Sequence, residues 1–308
     1  MGYRCVVLVK QVPDTKNLTG EAMKADGTVN RAALPAIFNP EDLHALEMAL
    51  DIRDRFGGTV TVITMGPPAA CEVLRESLYR GADDVVLLTD RAFAASDTLA
   101  TSYALGQAVK KLGQFDIILC GRQAIDGDTA QVGPQTAEKL ELPQICYVER
   151  VLDVAGGKIT ARRAIEGGYE LLRCKLPALL TVTDTANEPR PPRAKRIMQF
   201  KNAAGATELA GRARKKLETE GKEPTPEAIA ALANPQTKEL QERGILLKEW
   251  AAQMAGCDPA RCGGNGSPTR VKKIESVVLA GNEVKQIEST EPGIRELVHE
   301  LITSHILD

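Results

Sequence analysis

The chain has 308 residues, of which 43% are hydrophobic and 26% are charged. These values are ordinary for a globular protein, so they exclude a disordered, collagen-like or disulfide-scaffold chain. The net charge is −2, and aromatic residues make up only 4% of the chain. Because neither a strong positive field nor aromatic stacking platforms are present, we expect no nucleic-acid partner.

The first half of the sequence alternates strands with helices. A β-branched run predicts a strand at 3–10, and Asn39 and Pro40 are typical of a helix start that Gly57 ends. The alternation continues with a strand at 59–64, a helix at 68–80, a strand at 84–89, a helix at 97–112, a strand at 115–120 and a helix at about 130–140. This order predicts an α/β fold with a doubly wound, mostly parallel, Rossmann-like sheet.

From Ile145 the pattern is that of hairpins. Glycine pairs separate predicted strands at 145–154, 158–165, 169–173 and 179–182, which we expect to form an antiparallel extension of the same sheet.

The rest of the sequence, from residue 187 onward, predicts an arm followed by helices. Segment 187–203 is rich in proline and cannot pair as a central strand, so we expect either an exposed arm that docks a partner through the positive charge of its basic residues or a solvated linker. Its basic residues are Arg190, Arg193, Lys195 and Arg196. Prolines cut residues 206–255 into about three predicted helices, the last with an apolar stripe ending at Trp250, and a final helix is predicted from Pro292 to Ile306. We therefore divide the chain into a nucleotide-binding α/β domain, 1–186, and a C-terminal docking arm with a helical extension, 187–308.

The composition and spacing of reactive residues point away from metal and hydrolytic chemistry. The seven cysteines are scattered, and several lie in apolar runs, which favours a reducing, cytoplasmic location. No apolar run reaches the roughly 18 residues that span a bilayer. The three histidines and the pair Cys257 and Cys262 lack further ligands, so no metal site is predicted. No catalytic residue is assigned, and whether the chain is an enzyme stays open.

The most informative segment is the loop at 121–135, between the predicted strand ending at Cys120 and the next helix. Ligands of open α/β sheets bind outside the carboxyl ends of the strands. Asp128 and Thr129 are suitable helix caps, and the free N–H groups of a helix start attract phosphate. A helix start with a purely structural loop is the alternative. Neither G-x-G-x-x-G after the first strand nor a P-loop is present, which disfavours an ordinary dehydrogenase or NTPase.

Several short segments occur in the order known from one family. They are Val9 to Asp14, Asn39 to Asp42, Met65 to Pro67, Arg80 to Asp83, the 121–135 loop, and Asn187 to Arg190 ahead of Ile197 and Met198. Through them the chain resembles the beta subunit of electron transfer flavoproteins over roughly residues 1–203, and again from Gly266 to Val271.

The resemblance implies a subunit that pairs with an alpha subunit carrying the electron-transferring FAD. The beta subunit itself would hold AMP in the simple branch of the family or a second FAD in the electron-bifurcating branch. Carried over by position, the cofactor-binding residues would be Leu8, Val9, Asn39, Met65, Gly121, Gln123, Ala124, Asp126, Gly127, Asp128, Thr129, Ala130, Gln131 and Val132. Of these, Asp128, Thr129, Gln131 and Val132 would lie at the phosphates.

The loop sequence resembles the FAD-holding branch. The AMP branch typically has a bulkier Asp-Asp-Asp-Cys-Asn-Gln-Thr run where this chain has Gly127 and Ala130. The resemblance then implies FAD, NADH as a possible electron donor, electron bifurcation, and a flavin dehydrogenase partner such as an acyl-CoA dehydrogenase. The family's leucine anchor for that partner aligns with Ala194. An AMP-holding beta subunit and a non-redox, universal-stress-like nucleotide module remain the alternatives.

Overall fold

The computed structural model describes residues 2–14, 34–269 and 286–303. Within these ranges, no helix combines the length and the apolar character that crossing a bilayer requires.

The first half of the described chain alternates strands and helices as the sequence predicts. Its elements are β1 (Tyr3–Val9), β2 (Gln11–Pro13), β3 (Ala36–Phe38), α1 (Pro40–Phe56), β4 (Gly58–Met65), α2 (Cys71–Arg80), β5 (Asp84–Leu88), α3 (Thr98–Leu112), β6 (Ile117–Gly121) and α4 (Val132–Lys139).

The second half begins with strands and ends with helices. Its elements are β7 (Gln144–Ala155), β8 (Lys158–Ile165), β9 (Gly168–Lys175), β10 (Ala178–Val182), α5 (Ala194–Phe200), α6 (Ala206–Thr219), α7 (Pro226–Glu242), β11 (Lys248–Trp250) and α8 (Glu291–Thr303). The last residues of the predicted final helix, 304–306, lie outside the described part of the chain.

Nine strands form one sheet in the order β11-β5-β4-β1-β6-β10-β7-β8-β9. The pairs from β11 to β7 are parallel, and only β7–β8 and β8–β9 are antiparallel. Alternate residues of the central strands enter two core clusters, one on each face of the sheet. The predicted mixed α/β fold with a mostly parallel, Rossmann-like sheet is confirmed.

One predicted strand has a different position in the sheet. Residues 179–182 were expected in the antiparallel extension, but β10 lies between β6 and β7 and is parallel to both. All five β10 side chains are buried, as in a central strand covered on two faces, whereas β9 is exposed over most of its length. The antiparallel extension therefore consists of β8 and β9.

The predicted division of 206–255 into three helices is wrong. Pro235 lies inside α7 and does not break it. The apolar residues up to Trp250 do not form a third helix, because β11 pairs with the edge strand β5 and adds a parallel strand to the sheet. Two helices and one strand result, and α6 and α7 pack against each other.

The arm at 187–203 is not a strand, as predicted, but it lies against the domain more closely than expected. Arg190 pairs with Glu47 of α1 at 2.8 Å, and Arg196 donates hydrogen bonds to the carbonyls of Leu78 and Ala82. The expectation that these two arginines expose their charge is wrong, because each guanidinium finds acceptors on a neighbouring helix or turn. Arg193 and Lys195 are exposed.

A buried ion pair attaches α6 to the domain. Arg75 of α2, 7% exposed, contacts Glu208 at 2.9 Å and also donates to the carbonyl of Ala203 at 2.9 Å. Burial opposes ionisation of Glu208, but the hydrogen bonds and charge of Arg75 outweigh it and hold the pKa of Glu208 below its usual value. The packed helices α6 and α7 are thus held on the α/β sheet domain by an ion pair as well as by apolar packing.

We predict that Glu208→Gln lowers the free energy of unfolding by about 2 kcal/mol at pH 7, because Arg75 loses its buried carboxylate partner and keeps only the more exposed Glu72. Since the pKa of Glu208 is lowered in the folded state, the stabilisation is present above about pH 4.5 and is lost as pH falls further. Urea unfolding at pH 7 and pH 4 measures it. In the control Glu242→Gln, an exposed pair with Lys238 is removed and little change is expected; equal effects in both variants would contradict the prediction.

Candidate functional site

The candidate site lies where the strand order reverses. The chain winds from β1 to β4 and β5 on one side and returns to β6 on the other side of β1. The usual place for a ligand in an open α/β sheet is outside the carboxyl ends of the strands at such a reversal, and we call this place beside β1 and β6 the crevice. Val9 ends β1 and Gly121 ends β6. The β6–α4 loop, residues 122–131, begins at this point.

Asp42 holds the two strand ends together. Its two carboxylate oxygens accept hydrogen bonds from the backbone N–H groups of Lys10 and Gly121, each at 2.8 Å. Burial raises the pKa of Asp42 to about 7, although these N–H groups and the Asn39 side chain oppose the shift. One side chain of α1 thus fixes the backbone on both sides of the crevice.

Glu41 fixes the first residues of the β6–α4 loop. Its carboxylate accepts from the backbone N–H of Gln123 at 2.8 Å and pairs with the Arg122 guanidinium at 2.7 Å. The Glu41 side chain is 6% exposed, whereas that of Arg122 is 33% exposed. The charge of Glu41 is therefore balanced beside the crevice, and Arg122 presents its outer edge to solvent.

Asn39 continues the same pattern one residue before α1. Its side-chain amide donates to the carbonyl of Gln123 at 2.9 Å and accepts from the N–H of Ile125 at 3.1 Å. Asn39 occupies the predicted N-cap position of α1, but its side chain caps nothing in that helix because both amide groups are used by the loop. We call Asn39, Glu41 and Asp42 the first-turn clamp.

The clamp requires glycine at position 121. A Cβ there would lie 2.7 Å from the Asp42 Oδ1 atom and 2.7 Å from the Glu41 Cβ atom. No side chain fits at those distances, so the close approach of α1 to the end of β6 depends on Gly121.

The centre of the β6–α4 loop has an unusual backbone. Asp128 and Ala130 have φ angles of 49° and 52°, in the left-handed region that L-residues seldom occupy. Between the clamp and these residues, a Cβ on Gly127 would meet nothing within 4 Å. The strained, exposed backbone and the open position together are typical of a loop shaped for a ligand.

The start of α4 differs from the prediction. Asp128 and Thr129 do not cap the helix, because the strained turn carries them away from it and Gln131 occupies the N-cap position. The Gln131 side chain makes no cap hydrogen bond and instead accepts from the Thr98 hydroxyl at 2.8 Å. The N-terminal N–H groups of α4 are thus left without a side-chain cap, which suits an anionic ligand.

Two cations flank the crevice, Lys10 after β1 and Arg122 after β6. The Lys10 ammonium contacts the Asp126 carboxylate at 2.7 Å, and the Lys10 side chain is 49% exposed. An ion pair this exposed contributes less than about 1 kcal/mol, so Lys10 can turn from Asp126 to an incoming anion at small cost.

The structure brings most of the predicted cofactor-binding residues to this one edge. Gln123, Ala124, Asp126 and the glycine-centred turn lie in the clamped loop, and the Gln123 amide donates to Asp128 at 3.1 Å. Leu8 and Val9 end β1 with buried side chains on opposite faces of the sheet, so only their backbone is available to a ligand. Met65 ends β4, the next strand, and is partly exposed.

Four residues of this edge are missing from the sequence-based set: Lys10, Glu41, Asp42 and Arg122. The available signal was the pair of acidic residues in the first turn of a helix. Acidic residues there are commonly explained by the helix dipole alone. That they are buried and aimed at a different strand depends on the fold. The ranges that the structure describes hold no group of three or more metal-ligating side chains.

We predict that Asp42→Asn lowers the free energy of unfolding by about 1–3 kcal/mol, because an amide NH₂ cannot accept the N–H group that one carboxylate oxygen accepts. Since the pKa of Asp42 is raised from 3.8 to about 7, the folded state holds a proton that the unfolded state releases between these pH values. The free energy of unfolding of the wild type therefore falls as the pH rises from 3.8 to about 7. The variant lacks this slope of the free energy of unfolding against pH, because an amide does not titrate. Chemical unfolding from pH 4 to pH 8 measures it.

The control for this prediction is Asp116→Asn, which changes a carboxylate that accepts the Arg4 N–H at 2.8 Å on the amino edge of the sheet. It is expected to keep the slope that Asp42 produces. A slope that survives in Asp42→Asn would contradict the prediction.

Comparison with known proteins identifies relatives over most of the chain. The model of the electron transfer flavoprotein domain matches residues 26–208. The electron transfer flavoprotein subunit beta of Thermoanaerobacterium thermosaccharolyticum is 46% identical over 241 residues, which are 77% of this chain and 90% of that protein. The corresponding subunit of Clostridium acetobutylicum is 42% identical over 276 residues, 90% and 89% of the two chains.

A second kind of relative spans nearly the whole chain. Protein FixA of Sinorhizobium fredii is 40% identical over 306 residues, 97% of this chain and 92% of that protein. A match of this extent includes the residues of α6 and α7. Beta subunits of the family pair with an alpha subunit. On the domain match and these identities, the chain belongs to the electron transfer flavoprotein family, as a beta subunit of the type that includes FixA.

Proposed function

We propose that this beta subunit binds an adenine nucleotide in the crevice between β1 and β6, and that the nucleotide is FAD. The observation that carries the proposal is the open position at Gly127, in a clamped loop at the strand-order reversal. The bound complex would pass electrons between redox partners.

The charges of the site fit the phosphate groups. Two of the acidic side chains are paired, Glu41 with Arg122 and Asp126 with Lys10, and Asp128 accepts a hydrogen bond from the Gln123 amide. The uncapped start of α4 supplies N–H groups, and Lys10 and the outer edge of Arg122 supply positive charge. In this proposal the chain's residues bind and orient the nucleotide, and none acts as a general acid or base.

The preference for FAD over AMP rests on bulk. Ala130 is small at a left-handed φ, and Gly127 has no side chain where a Cβ would point into open space. Both leave room for a dinucleotide beyond the adenylate, which AMP does not need. A bound flavin would supply hydride acceptance and single-electron transfer, with NADH as the donor, and would give the complex with the alpha subunit a second flavin for electron bifurcation.

The exposed part of the arm supports a dehydrogenase contact. Arg193 and Lys195 are exposed beside Ala194, while Arg190 holds the start of the arm on α1. A flavin dehydrogenase with an acidic docking surface would meet this positive segment, with electrostatic attraction speeding the encounter.

We predict two FAD and no AMP when the purified alpha–beta complex is extracted with acid and its nucleotides are counted. NADH should bleach the flavin absorbance anaerobically. One FAD with one AMP, and no bleaching by NADH, would reject the FAD proposal and favour the simple AMP-holding subunit. A complex without flavin would favour the non-redox nucleotide module.

We predict that Gly127→Val weakens nucleotide binding by at least about tenfold, or ~1.4 kcal/mol, because the side chain fills the space left for the ligand. Its folding should be unaffected, since a Cβ there meets nothing within 4 Å. Nucleotide retained per complex after dialysis measures the effect.

The matched control is Gly168→Val, at an equally open position at the start of β9. If both folded variants retain the wild-type nucleotide content, the assignment of the site to this loop is wrong.

A further inference from the structure

A second concave site lies on the face of the sheet covered by α3 and α4. It is a cavity of about 220 Å³ lined by Tyr103, Gly106, Gln107, Lys110, Lys139 and Arg261. The first residue of α3, Thr98, contacts the β6–α4 loop through Gln131. Lys110 lies in the last turn of α3, about 18 Å further along the helix axis. The cavity is therefore separate from the proposed nucleotide site.

Three cations converge on this cavity without carboxylate partners. Lys110 comes from α3, Lys139 from the last turn of α4, and Arg261 from the segment after β11. None of the three forms an ion pair with a residue of the described ranges, and the lining contains no Asp or Glu. Like charges that gather around one space without compensation repel each other, and an anion in that space relieves the repulsion.

The position of Arg261 is fixed by its surroundings. Its guanidinium stacks over the Tyr103 ring at 3.9 Å from the ring centre, and Tyr103 is only 7% exposed. The Tyr103 hydroxyl accepts from the Asp258 N–H at 2.9 Å, and the Gln107 amide donates to the Gly256 carbonyl at 2.9 Å. These contacts hold the segment 256–261 on α3, so the guanidinium is oriented before any ligand binds.

One simpler explanation covers only part of this arrangement. Lysines in the last turn of a helix complement its dipole, which accounts for Lys110 and Lys139. It does not account for Arg261, which belongs to a different segment. Another basic hollow, beside α6, is lined by Arg212, Lys215 and Lys216, but Arg212 and Lys216 have carboxylate partners in Glu208 and Glu220, and Glu220 itself lines the hollow.

We propose that this cavity binds a small polyanion carrying phosphoryl groups. A planar guanidinium recognises two phosphate oxygens at once, and two flexible ammonium groups neutralise the remaining charge. The volume suits a molecule of about the size of pyrophosphate. The proposal is independent of which nucleotide occupies the crevice between β1 and β6.

The test is titration calorimetry of pyrophosphate into the nucleotide-loaded alpha–beta complex at low and physiological ionic strength. We expect one site per complex, with affinity falling as salt rises. Lys139→Gln/Arg261→Gln should weaken binding at least about tenfold. Because loss of Arg261 alters the stack on Tyr103, Lys110→Gln/Lys139→Gln is a second variant that leaves the stack intact and should also weaken binding.

The matched control Lys215→Gln/Lys216→Gln removes the same charge from α6 and should bind pyrophosphate as the wild type does. Equal loss in this control, or absence of saturable binding to the wild type, would overturn the proposal. Citrate tests the chemistry, since equal affinity for it would overturn the preference for phosphoryl groups. An excess of the beta-subunit nucleotide should leave the affinity for pyrophosphate unchanged; competition between the two would put the pyrophosphate at the β6–α4 loop and overturn the separate site.

Discussion

The candidate site depends on one interaction: the first turn of α1 holds the ends of β1 and β6 through buried side-chain oxygens. Asp42 accepts one N–H from each strand end, and Glu41 and Asn39 accept from the loop that follows. The N–H groups of Lys10 and Gly121, at the carboxyl ends of the two strands, donate to the Asp42 side chain. The clamp satisfies these groups and leaves the loop free to shape a ligand site.

The clamp also explains how a site with several acidic side chains could accept the phosphate groups of the proposed nucleotide. Buried carboxylates are costly unless they are paired or hydrogen-bonded, and here each is aimed at N–H groups or at a guanidinium. The acidic residues thus act on the protein's own backbone, while Lys10, Arg122 and the start of α4 face outward. Structural and proposed ligand-binding roles are thus divided between different side chains at the same edge of the sheet.

The fold was largely predictable from the sequence. Alternating apolar strands and helices with recognisable starts, such as Asn39 and Pro40, specify a parallel α/β sheet because each signal is local. The position of β10 was not predictable, since insertion between β6 and β7 depends on pairing with strands distant in sequence. Trp250 and its neighbours fit a helix by spacing, but the open edge of β5 made a strand pairing available.

The sequence predicts a candidate site at the end of β6, but it does not predict the contacts that support the loop there. The loop at 121–135 was located by its motif and by the strand before it. The role of Gly121 was not, because it arises from a contact with Asp42 and Glu41, about 80 residues earlier in the chain. Asp128 belongs to a residue type that tolerates a left-handed backbone, whereas nothing local in Ala130 indicates one.

Hydrogen exchange on the alpha–beta complex, with its beta-subunit nucleotide bound and then removed, tests the central claim most directly. If the clamped loop binds the nucleotide, removal should raise exchange of the backbone amides from Gly127 to Gly133 by at least about tenfold. The amides of Gly121 and Gln123, which donate to the clamp, should change little. A change confined to β8 and β9, or absent from the β6–α4 loop, would contradict the account.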